Sequence, residues 1–123
     1  MNLRKGFTLI ELIVVIAIIG ILVTIAVPKF TSMTDGANVA VFESSHQTIV
    51  TAIRFAMAEN NGVPPSQADV DKYLPGAGIS DLDNKKPVGA TYTYNPATGA
   101  LTSQFAGKYN KGPGGSDTIT YTP

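Results

Sequence analysis

The chain has 123 residues, with nine basic and nine acidic side chains in balance and no cysteine. That length holds one small domain plus an anchor. The charge balance argues against a general nucleic-acid-binding surface, and the lack of cysteine excludes disulfides, thiolate zinc sites and a cysteine nucleophile.

The hydrophobic share, 44%, is ordinary for a globular protein, but its distribution is not. Apolar residues crowd into the first 27 positions, while glycine and proline concentrate after Asn60. Residues 1–6 read MNLRKG, in which Arg4 and Lys5 are the only charges. Residues 7–27 read FTLIELIVVIAIIGILVTIAV, with Glu11 as the single charge. As a helix this run is about 31 Å long, which matches the hydrocarbon core of a bilayer. The basic pair before it keeps the start cytoplasmic, so everything after Val27 is translocated.

Three readings compete for this segment. A secretory signal peptide needs a small-x-small cut, for which Thr24 and Ala26 offer a poor version. A plain membrane anchor is the second. Both leave Glu11 unexplained, because a charge inside an apolar span costs about 2.5–3.5 kcal/mol on insertion scales.

The third reading explains it. The run Gly6-Phe7-Thr8-Leu9-Ile10-Glu11, after a short basic leader and inside an apolar helix, resembles the processing motif of type IV prepilins. That family includes pilins, type II secretion pseudopilins and DNA-uptake pilins. The resemblance is close over 1–30 and covers the rest only in layout. It implies a cut after Gly6 by a membrane prepilin peptidase, with Phe7 as the new, N-methylated first residue. It also implies that Glu11 meets the free amine of Phe7 on a neighbouring copy. In a low-dielectric bundle that attraction is far stronger than in water, and each charge relieves the other's desolvation.

Gly20 and Pro28 lie in and just after the apolar run. Glycine is costly in a helix and proline removes a backbone hydrogen bond, so this stretch is expected to bend or locally unwind. In related filaments such a region melts on assembly; a simple kink at the membrane exit is the alternative.

Beyond Pro28 the helical pattern continues. Phe30, Met33, Ala37, Val41, Ile49, Ala52, Ile53 and Ala56 recur at three- and four-residue steps, with 44–48 as a polar interruption. Asn60-Asn61-Gly62 and Pro64-Pro65 stop it. A helix over 7–59 would be about 80 Å long, too long for a globule this size to bury. Ser66–Asp69 reads as a capped start of a short helix reaching Tyr73. Strands are expected at 90–94, 100–105 and 118–122, with a hairpin turn at 95–99. The fold class is α+β: a long N-terminal hydrophobic helix packed at its C-terminal half on a small antiparallel sheet, as the pilin resemblance implies. The divisions are a leader at 1–6, a membrane and filament-core helix at 7–28, an amphipathic helix at 29–60 and a head at 61–123.

Few residues suggest other chemistry. His46 is the single histidine and is expected on the exposed helix face. With no cysteine beside it, a nucleophilic triad has no support, and the chain is read as a non-enzyme without cofactor. Residues 107–112 are glycine-rich, yet tyrosine follows the lysine, so no phosphate loop forms. Asp69, Asp71 and Lys72 read as a solvated helix face. Asp81 and Asp83 are a weak calcium candidate, since no glutamate closes the loop and a plain turn explains them better.

The resemblance implies a type IV pilus subunit, polymerised for adhesion, twitching motility or DNA uptake. A major pseudopilin of type II secretion is the alternative, although the usual calcium-binding signature of those heads is not visible. The chain also lacks the C-terminal cysteine pair of many pilins, so the loop at 106–116 is expected to be exposed and mobile. Implied partners are further copies of the chain, the peptidase, and an inner-membrane assembly platform with cytoplasmic ATPases. The implied location is the inner membrane before assembly and the cell surface after it.

Overall fold

The computed structural model describes residues 5–106 and 109–123. Most of the expected leader, Arg4 included, lies outside the described residues, as do Gly107 and Lys108 of the glycine-rich loop. The elements are α1 (Leu9–Glu59), α2 (Gln67–Asp71), α3 (Ile79–Leu82), β1 (Ala90–Asn95), β2 (Ala100–Phe105), a 3-10 turn (Pro113–Gly115) and β3 (Thr118–Tyr121). The chain divides into two units, Met1–Thr34 and Asp35–Pro123.

The first unit contains the apolar part of α1. Its leucines, isoleucines and valines from Leu9 to Val27 are all exposed. The helix runs unbroken through Gly20 and Pro28. Pro28 has no N–H to give the Thr24 carbonyl, but helical bonds on either side make one missing bond tolerable. The hydroxyls of Thr24, Thr31 and Thr34 fold back onto the carbonyls of Ile21, Val27 and Phe30. Threonine is thereby accommodated inside a helix without an unpaired hydroxyl.

The second unit is the head. Its sheet has the order β1-β2-β3, antiparallel throughout, with Tyr92 opposite Ser103 and Ser103 opposite Ile119. The period of two turns Tyr92, Tyr94, Leu101 and Phe105 to one face. That face buries Ile49, Ala52, Ile53 and Ala56 of α1, as the helical spacing predicts. Phe42 sits at the aromatic centre, with its ring 5.4 Å from Phe105, 6.0 Å from Tyr92 and 5.0 Å from Tyr109.

The earlier part of the predicted stripe does not hold. Phe30 (70% exposed), Met33, Ala37 and Val41 face outward, and Val39 and Phe42 take the buried places. Counting back from Ile49 by three and four residues reaches 46, 45, 42 and 39. The buried stripe therefore passes straight through the segment read as a polar interruption, and Ser45 and His46 lie inside it.

The connections are held by side chains. Ser66 caps α2, accepting the Asp69 N–H and donating its hydroxyl to the Asp69 carboxylate at 2.6 Å. The helix ends at Asp71, two residues before the expected end. α3, absent from the sequence reading, starts where the Asp71 carboxylate accepts the Ile79 N–H at 2.9 Å. Its entry residue Gly78 has φ +78°, and a Cβ there would collide with Asp71. The Tyr94 hydroxyl donates to the Pro65 carbonyl at 2.7 Å, tying β1 to the start of α2. The hairpin turn follows Asn95, whose carbonyl accepts the Gly99 N–H.

Candidate functional site: the start of the apolar helix

The first turn of α1 is a reciprocal cap. The Thr8 N–H donates to Glu11 Oε2 at 2.8 Å, and the Thr8 hydroxyl reaches the same oxygen at 3.0 Å. In return the Glu11 N–H donates to Thr8 Oγ1 at 3.3 Å. The cause is Thr-x-x-Glu spacing, which puts the two side chains in reach of each other's backbone donors. The helix dipole adds to this, since its N-terminal end favours a carboxylate. Glu11 stands out in the sequence as a charge in an apolar run, whereas Thr8 is legible only from the Thr-x-x-Glu spacing.

Phe7 precedes this turn and is 93% exposed. Phe7, Ile10, Val14 and Val15 line an apolar concavity of about 370 Å³ that also contains Glu11. Gly6 is adjacent, and a Cβ added to it would meet nothing within 4 Å among the described residues. The structure thus brings Phe7 and Glu11 to one patch, with an exposed aromatic, a carboxylate and a continuous run of apolar side chains behind them. α1 is long and apolar enough to cross a membrane. Gly20 and Pro28 lie farther along the same helix.

Asp81 and Asp83 do not converge. Asp81 Oδ1 is 2.9 Å from Lys85 Nζ, and that ammonium holds the Asp81 carboxyl below its usual range. Asp83 Oδ1 instead accepts the Tyr92 N–H at 3.1 Å, closing the outer edge of β1. Among the described residues, no three histidine, aspartate or glutamate side chains gather as a metal site. Asp69 pairs with Lys72 at 2.7 Å on an exposed face, as expected.

His46 departs from its expected place. It is 3% exposed, and its Nδ1 lies 2.7 Å from the hydroxyl oxygen of Ser103 on β2. Desolvation pushes the imidazole below its ordinary pKa. The sequence contained the signal in the three- and four-residue steps from Phe42 to Ile49, which its polarity obscured.

The comparisons fall on the same segment first. Residues 1–27 match the family model described as the prokaryotic N-terminal methylation motif. The major component PilA5 of a type IV narrow pilus in Thermus thermophilus is 50% identical over 60 residues, 49% of this chain and 52% of that protein. The type IV major fimbrial protein FimA of Dichelobacter nodosus is 32% identical over 108 residues, 73% of this chain and 68% of FimA. The chain belongs to the type IV pilin family. Within that family the type II secretion system core protein G of Pseudomonas aeruginosa is also similar, 33% identical over 70% of this chain and 54% of that protein. This pilin spans about half of PilA5 and 64% of a Pseudomonas aeruginosa fimbrial protein. No solved structure matches it.

Proposed function

We propose that this pilin is the structural subunit of a type IV pilus, made as a membrane-anchored precursor and polymerised into a helical surface filament. The observation that carries the reading is the exposed apolar run from Leu9 to Val27, headed by exposed Phe7 and by Glu11. So much apolar surface is stable only in lipid or against other copies, and an isolated chain leaves it in water. The subunit catalyses nothing; its function is assembly.

Prepilin peptidase cuts between Gly6 and Phe7, and the new amine of Phe7 is methylated. Each Glu11 then faces the Phe7 amine of a neighbour, and a subunit out of register leaves both charges unpaired in an apolar bundle. Gly20 and Pro28 mark the stretch that gives way as helices pack. Pro28 already deprives one carbonyl of its helical partner there. The partners are the membrane, the peptidase, further copies, and an inner-membrane platform driven by cytoplasmic ATPases. The filament serves adhesion, twitching motility or DNA uptake.

Gly6 supplies a clean test. Among the described residues, nothing in the packing requires glycine there. Gly6→Leu is therefore expected to block processing and leave the head's unfolding curve unchanged. Normal processing of that variant contradicts the cut-site assignment.

The similarity to core protein G favours a second reading, a major pseudopilin of type II secretion. The two part at one measurement. A pilin is recovered in sheared surface filaments, whereas a pseudopilin is processed at the same bond and stays in the envelope.

A further inference from the structure

The interface between α1 and the sheet in the head is built from apolar side chains with few exceptions. Buried polar residues there are Ser45, His46 and Ser103. Ser103 is the middle of β2, 0% exposed, and its register partners are Tyr92 on β1 and Ile119 on β3. Its hydroxyl meets His46 Nδ1 at 2.7 Å, across 57 positions of sequence. The pair is thus a cross-link from the helix to the central strand.

The surroundings determine what a proton would do. From α1, Glu43 and Gln47 line a cleft of about 490 Å³ with His46; Tyr109 and Ile119 line its other side. Burial raises the pKa of the Tyr109 phenol, and Glu43 beside it adds to the rise. From β1, Tyr92 is the titratable group nearest Ser103 in register, and its hydroxyl donates to the Lys86 carbonyl at 2.6 Å. Among the described residues no acidic side chain hydrogen-bonds to His46. The cleft lies beside the ring, yet the ring's direct solvent contact is almost nil.

We propose that the His46–Ser103 pair is an acid-sensitive clasp: with the imidazole neutral it holds α1 against β2, and protonation weakens that hold. A neutral ring protonated on Nε2 leaves Nδ1 as an acceptor for the Ser103 hydroxyl. A second proton turns Nδ1 into a donor, and Ser103 must then aim its own hydrogen elsewhere in a dry interface. It also places a positive charge where no carboxylate is bonded to it.

The sign follows from linkage. The folded pKa lies below the unfolded value, so well above that value both states are neutral and stability is unaffected. As pH falls through about 6.5, the unfolded chain takes up a proton that the folded chain refuses. Stability then declines until the folded imidazole is itself protonated, and levels off below that.

Two measurements on the full chain in detergent micelles test this. The first is a proton NMR titration of the unmodified chain, which has a single histidine and so a single imidazole signal to follow. The second is urea unfolding of the head, followed by tyrosine near-UV dichroism between pH 7.5 and 5, for the native chain, His46→Gln and Glu43→Gln. The glutamine at 46 keeps a partner for Ser103 without titrating. The expected result is an imidazole midpoint below 6.5 and a native folded-to-unfolded ratio falling by up to about tenfold per pH unit in that window. Glu43→Gln falls in parallel, and His46→Gln stays flat. An imidazole midpoint at or above about 6.5 overturns the proposal, whether or not the glutamine variant folds. An equal decline in native chain and His46→Gln overturns it as well.

Discussion

Glu11 Oε2 accepts both the backbone N–H and the hydroxyl of Thr8, at 2.8 and 3.0 Å. The carboxylate proposed to meet a neighbour's amine is therefore also the cap of its own helix. These roles are separable, because glutamine serves at this position of a capping box as well as glutamate does. Glu11→Gln is expected to keep the helix content of the chain in micelles and to lose filament assembly. Circular dichroism and the yield of sheared filaments check the two halves. Normal assembly of the glutamine variant removes the charge from the assembly account.

Phe42 and Phe55 lie on the same helix and should differ sharply. Phe42 has three aromatic neighbours within 6.0 Å and is fully buried, whereas Phe55 is 58% exposed and stacks on Tyr73. Phe42→Ala should cost about 3–5 kcal/mol of head stability, the usual range for a buried phenylalanine. Phe55→Ala should cost about 1 kcal/mol or less, the scale of one aromatic contact. Urea unfolding measures both, and equal losses would contradict the packing described.

Much of this architecture is legible in the chain alone. Glu11 inside an apolar run after Gly6-Phe7 identified the family, and alternation in 90–95 and 100–105 gave the strands and their buried faces. Ser66 and Asp69 gave the cap of α2. The misreadings share a cause. His46 is expected outward on polarity, but a polar residue enters a core once a partner across the interface satisfies it, and Ser103 lies 57 positions away. α3 was missed because its cap comes from Asp71, eight residues upstream of the N–H it accepts. Phe30, Met33 and Val41 share a predicted stripe with Ile49 yet are exposed, because periodicity reports a stripe without reporting what covers it.

The tie between β1 and the start of α2 rests on one phenol. Tyr94→Phe removes the bond to the Pro65 carbonyl and leaves that buried acceptor without its donor. A loss of about 1–3 kcal/mol is expected, the cost of an unsatisfied buried group. Denaturant unfolding measures it, and a change near zero would show that another donor replaces the hydroxyl.

Gly78 should resist substitution for two reasons. Its φ of +78° suits glycine, and a Cβ would strike the Asp71 carboxylate that caps α3. Gly78→Ala is expected to destabilise the head by about 1–3 kcal/mol. Asp71→Asn, which keeps an acceptor for the Ile79 N–H, should cost less. The reverse order in urea unfolding would contradict the assignment of that cap.

The central claim is that the chain is a processed filament subunit, and the mature N-terminus tests it most directly. Intact-mass and N-terminal analysis of surface filaments sheared from the native cell should give a dominant chain that begins at N-methylated Phe7. A dominant chain that begins near Val27, or one that retains the residues before Phe7, would contradict the account.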